Sequence, residues 1–406
     1  MAGNSTAARA VGRQPSIAVN DGYLKSMKTR TRVTSGRWIR LEWRLGVLMA
    51  ALSLLSNGET VEQSSLRPLW RTAVHTAGNP PIGTPATVGG LLFLVRSGVE
   101  AYSAATGELL WTVPLSTYVP QDLVASAGMV FVPEKTVFAL DARTGKRKWE
   151  FSPDANASLG RAATDGKRLY FGTASHRLYA LRVSDGRELW ATNLGPEWQD
   201  PAVIRGVTIW KDKGYATVEQ WTAPNGHSVS GWLIAFRASD GKILWRYRTG
   251  QGAQRQGLSS SPTVTEDLVV SADYLSNAVV AVRRNNGHEA WRFQGDSGFV
   301  GFPEAPIVYD QTVFMGSGDT HVYALELKSG HLLWRTKLPA ASGSYALCGN
   351  NLLVNYGALA VLKLDSGMIN QTLLKDPGEL VTSDLAVTGH EAYVAGPNAV
   401  YAFACR

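Results

Sequence analysis

The residues best equipped for chemistry in this 406-residue chain are seven histidines and two cysteines. His75, His176, His227, His288, His321, His331 and His390 are scattered, with no two at metal-ligand spacing on one strand. His288 and His331 each follow a glycine directly, the place of a solvated turn residue. Two cysteines are too few for a four-cysteine zinc module. Cys348 and Cys405 are open to two readings: a disulfide in an exported protein, or two buried thiols acting as small hydrophobes. His-Glu-x-x-His, the Gly-x-Ser-x-Gly elbow, the Gly-x-x-x-x-Gly-Lys phosphate loop and an acidic calcium loop are all missing. The residue types therefore predict no catalytic group, no metal ligand and no cofactor site.

Charge narrows the classes further. The formal charge of +7 invites a nucleic-acid or membrane-surface partner. Residues 1–58, however, hold nine Lys and Arg against Asp21 and Glu42, which accounts for the whole excess. The remaining 31 basic residues are matched by 31 acidic ones. A neutral body lacks the basic face that phosphate contacts require, so nucleic acid is excluded as a partner. In the leader, Met27 precedes a basic stretch and the 11-residue apolar run from Leu45 to Leu55. That length suits a signal-peptide core and is short for a membrane span. Residues 1–58 are read as an export leader with a second start at Met27, and any membrane association is assigned to it. Residues 59–406 are read as one domain.

That domain is repetitive. Gly107–Trp111, Gly145–Trp149, Gly186–Trp190, Gly241–Trp245, Gly287–Trp291 and Gly330–Trp334 share one spacing; the seventh copy has Gln371 in the Trp position after Gly367. Successive glycines lie 38, 41, 55, 46, 43 and 37 residues apart, the length of a four-stranded propeller blade. Thr-Gly, Asp-Gly, Asn-Gly and Ser-Gly pairs supply tight turns between Val-, Tyr-, Phe- and Leu-rich strands. The C-terminal Ala399–Arg406 stops before its turn, while residues 66–72 form an isolated Trp strand without the three strands that precede it in every other copy. Joining them predicts an all-β, eight-bladed β-propeller of four-stranded blades, closed by the N-terminal strand entering the C-terminal blade.

The Tyr-Ala-Leu-Asp strand, Gly turn and Leu-Trp strand resemble the PQQ-like, quinoprotein-type propeller repeat over residues 67–406. No repeat Trp precedes Asp, so the Trp-Asp repeat is disfavoured. The resemblance implies that Trp70, Trp111, Trp149, Trp190, Trp245, Trp291 and Trp334 dock neighbouring blades. It offers two functions: non-catalytic scaffolds similar to BamB of outer-membrane protein assembly, and PQQ-dependent dehydrogenases of alcohols or sugars. Many such dehydrogenases carry vicinal cysteines and long insertions, which this chain lacks. The first is expected here: an exported, monomeric cell-envelope protein that binds a protein or peptide. Candidate contacts sit in the connections before the inner strands: Trp198, Gln199 and Asp200; Arg255; Phe302 and Glu304; and Tyr345. The enlarged fourth repeat adds Trp221 and Trp232, either partner-facing or buried within the blade.

Overall fold

The computed structural model describes residues 66–405, except 75–81, 116–121, 154–158, 196–201, 222–228, 250–257, 259, 275, 297–300, 303 and 377–378. They belong to one compact unit, Ser64–Arg406. The leader, with Met27, lies outside the described residues. Eight four-stranded antiparallel sheets follow one another as the blades of a propeller. Blades 1 to 7 span 82–114, 124–151, 163–193, 202–248, 263–294, 307–337 and 344–373. Blade 8 takes three strands from 386–404 and its outermost one, Pro68–Ala73, from the start of the domain. Thr72 pairs with Val400 and Trp70 with Ala402, which closes the ring with its two ends in one sheet.

Strand composition follows position in the blade. Middle strands such as Leu91–Val95 and Val137–Asp141 are covered on both faces by neighbouring blades and are apolar almost throughout. Outermost strands such as Leu109–Pro114 and Leu332–Lys337 alternate, because only one face is covered. In blade 4 the first three strands lengthen to nine residues each, Ala202–Trp210, Lys213–Trp221 and Val229–Arg237. The wide glycine spacing thus becomes longer strands around the connection 222–228, which lies outside the described residues.

The repeat tryptophans face small residues across the sheet. Trp111 pairs with Ala101, Trp149 with Ala139, Trp190 with Ala180, Trp245 with Ala235, Trp291 with Ala281 and Trp334 with Ala324. A register shift follows each pair, which increases local twist and tips the indole towards the next blade.

Candidate functional site

Each repeat Trp grips the turn of the following blade. The Trp149 indole N–H donates to the Val183 carbonyl at 2.8 Å, and its ring lies on Gly186. Gly186 has φ +72°, and a Cβ there would stand 2.5 Å from Trp149 Cε3. Glycine is therefore required twice, by conformation and by space. Trp70 meets Gly107 in this way, as do Trp111 and Gly145, Trp190 and Gly241, Trp245 and Gly287, Trp291 and Gly330, and Trp334 and Gly367. In sequence each Trp except Trp70 stands four residues after its own blade's glycine, but its partner is the next blade's. Gln371 follows from the same rule. Blade 8 is split between the chain's two ends and has no third-to-fourth-strand turn to grip. Gln371 instead accepts from the Leu66 N–H at 2.8 Å and donates to the Leu66 carbonyl, clipping the incoming strand.

The polar groups of the ring converge at its axis, at the end where the inner strands begin. Thr84, Asp122, Arg161 and Asp384 each stand two residues before the inner-strand position that pairs with Phe93, Phe131, Tyr170 and Tyr393 in turn. Parallel bridges between Thr84 and Asp122, and between Arg161 and Gly206, tie neighbouring inner strands into a belt. Arg161 reaches across it. Its Nε lies 2.6 Å from Asp122 Oδ2 on blade 2. Its two terminal nitrogens fork onto Glu304 of blade 6 at 2.6 and 3.0 Å. Burial alone would pull the guanidinium down; the Glu304 hydrogen bonds and the charges of Asp122, Glu304 and Asp384 outweigh it and hold it above its ordinary value. Asp384 accepts from Thr84 Oγ1 at 3.1 Å. Burial, then the charges of Glu304 and Asp122, push its carboxyl up to about 7, against the opposing pull of Arg161.

The residues expected to contact a partner fall in several places. Trp198, Gln199, Asp200 and Arg255 lie outside the described residues. Trp221 ends its strand beside Gln220, which pairs with Ala202 at the belt end. Trp232 is half-buried against the core of blades 3 and 4, with the Arg248 guanidinium 5.7 Å from its ring. Phe302 is fully buried edge-on to Tyr323, so it is core rather than contact surface. Tyr345 is buried too, its hydroxyl donating to the carbonyls of Glu304 and Ala305, so it braces the belt. Glu304 is engaged by Arg161. Cys348 and Cys405 are joined in a disulfide between blades 7 and 8. Arg161, Thr84 and Asp384 escaped the sequence reading. Comparing one register position across all copies would have found them.

Among the described residues, the centre does not suit the quinone cofactor that the resemblance implies. Pyrroloquinoline quinone carries carboxylates, and the belt's guanidinium is already held by Asp122 and Glu304. Asp122 and Glu304 would face it with like charge, joined by Asp384 once its raised carboxyl ionises. Among the described residues no three His, Cys, Asp or Glu side chains are grouped to hold a metal ion. A cleft of about 910 Å³ lies at the opposite end, lined by Glu266, Arg283, Arg284 and Lys328, remote from the belt.

Comparisons with known proteins point in two functional directions. The outer membrane protein assembly factor BamB of Yersinia pestis is 27% identical over 254 residues, 57% of this chain and 60% of that protein. The tetrathionate hydrolase of Acidithiobacillus ferrooxidans is 24% identical over 297 residues, 68% of this chain and 54% of that protein. The chain thus spans little more than half the length of these relatives. The solved quinohemoprotein alcohol dehydrogenase from Comamonas testosteroni superposes with a TM-score of 0.68 at 14% identity, over 84% of this chain and 76% of that one, a likeness of fold alone. Residues 59–202 and 212–361, more than half of the chain, match the family described as outer membrane protein assembly factor BamB, and the chain belongs to that family of PQQ-like propellers.

Proposed function

We propose that this chain is an exported, non-catalytic propeller that acts as a monomeric scaffold in the cell envelope and binds a protein or peptide there. The observation that carries the reading is Arg161. It crosses the axis to Glu304 and takes up Asp122, so the charged groups at the centre largely serve one another. Function then falls to the belt end of the ring, where the long strands of blade 4 deliver Trp221. Membership in the assembly-factor family supports a binding role. A disulfide agrees with an oxidising compartment and with the leader's apolar run.

The test is capture from detergent-solubilised envelope membranes. Wild type and Arg143→Ala, altered at the opposite end, should retain one discrete partner that Trp221→Ala loses. Equal retention by all three overturns the placement of the contact. A second reading, an enzyme, draws support from Asp384, whose carboxyl titrates where a general acid or base works best. Purified protein given PQQ, Ca²⁺ and a panel of alcohols and aldoses should leave a redox dye unreduced. Dye reduction that Asp384→Asn abolishes would overturn the scaffold.

A further inference from the structure

Seven of the eight seams between blades carry the same clasp, an indole N–H bonded to a carbonyl of the next blade. That carbonyl has a fixed address: it lies three residues beyond the residue that faces its own blade's Trp position, an alanine in six of the seven and Val361, opposite Gln371, in blade 7. Ala142 follows Ala139, Val183 follows Ala180 and Leu327 follows Ala324. In blade 8 the corresponding alanine is Ala402, opposite Trp70, and three residues beyond it stands Cys405. The backbone confirms the equivalence. Cys405 N–H donates to the His390 carbonyl at 2.6 Å, as Ala142 does to Gly128 at 2.9 Å and Leu327 to Gln311 at 2.8 Å. The seam from blade 7 to blade 8 is also the one whose Trp position holds Gln371. There Cys405 is bonded to Cys348, the last residue of blade 7's inner strand Ser344–Cys348.

We propose that the Cys348–Cys405 disulfide is the eighth clasp, a covalent replacement for the missing indole bond, so that locking of the ring is a redox event. Two thiols lose two protons and two electrons to the disulfide of a thiol–disulfide exchange partner, which leaves as two thiols. A dithiol reductant reverses the exchange. Both sulfurs are buried, at 0% and 4% exposure, so exchange requires the end of strand Ala399–Ala404 to lift. Oxidation holds that strand and the paired Pro68–Ala73 against blade 7. Reduction leaves the Gln371 clip and the shared apolar core of Leu353, Val361 and Tyr401 in place.

Amide hydrogen exchange on the whole protein tests this in three states: oxidised, reduced with a dithiol after folding, and Cys405→Ser. Peptides covering 66–74 and 399–405 should exchange about tenfold or more faster in the last two, while peptides within 129–151 and 168–193 keep the oxidised rate. Unchanged exchange at the seam overturns the proposal. So does uniform acceleration across all blades, the mark of a general stabiliser rather than a seam lock. Gln371→Ala, kept oxidised, guards against a serine variant that fails to fold. It should quicken 66–74 and leave 399–405 protected, and loss of protection at both would assign the seam to Gln371 instead.

Discussion

Trp149 and Gly186 sit in different blades, yet neither tolerates a change in the other. An alanine at Gly186 meets a left-handed backbone and an indole 2.5 Å from its Cβ. The combined cost of Gly186→Ala should be roughly 2–4 kcal/mol in denaturant titrations. Trp149→Ala should cost about 3–5 kcal/mol, and the double variant less than the sum, since the cavity receives the new methyl. Asp384 makes a second prediction at this scale. Unfolded, its carboxyl ionises near the ordinary 3.8; folded, only near 7. Between those values the native state binds the proton more tightly, so this group's contribution to stability is lost as pH rises from about 4 to 7. Asp384→Asn removes the titration and still accepts from Thr84. Its urea midpoint should gain on wild type between about pH 5 and about pH 8. A constant difference would refute the shift.

Among the elements, blade 7 departs from the repeat for a reason that belongs to its neighbour. Where the other outer strands present Trp to a glycine turn, strand Ile369–Leu373 presents Gln371 to the backbone of Leu66. Restoring the repeat residue should therefore harm the protein. Gln371→Trp loses two hydrogen bonds and places an indole against backbone with no turn to receive it. Thermal denaturation should show a loss of about 1–3 kcal/mol, where the repeat pattern alone would forecast a gain. The long strands of blade 4 are a second departure. At the turn end, Trp210 lies between Lys211 and Arg284, each 4.0 Å from its ring, so one extra tryptophan is satisfied within the ring. At the belt end strand Lys213–Trp221 finishes with Trp221, the contact named in the proposed function.

For the whole molecule, the axis is where groups from five of the eight blades meet. Arg161 ties blades 2, 3 and 6, and Glu304 lies 143 residues from it in sequence. Arg161→Gln leaves Asp122 and Glu304 without their cation. Partial exposure of the three side chains moderates the cost to about 2 kcal/mol, read in denaturant midpoints. The closing pair is longer in range still, with Leu66 and Gln371 separated by 305 residues. So distant a contact carries the loop-closure entropy of nearly the whole domain, which the blades' own cores must offset.

Blade number, blade length, strand identity and the shared final blade were all legible in the sequence. Each is written in local chemistry: a turn glycine, a Trp strand and alternating or continuous apolar runs, repeated copy after copy. The docking role of the tryptophans was legible by resemblance, although which glycine each one meets was not. That pairing depends on the rotation from one blade to the next. Only the tertiary structure decided the centre. Arg161, Asp122, Glu304, Asp384 and Thr84 come from five blades; a shared register position marks where four of them stand, but not which partner each meets. It also decided between the two readings of Cys348 and Cys405 and set their disulfide beside Gln371 at a single seam. The reason is the same in both cases: repeats specify a blade, and only a closed ring specifies its axis and its last joint.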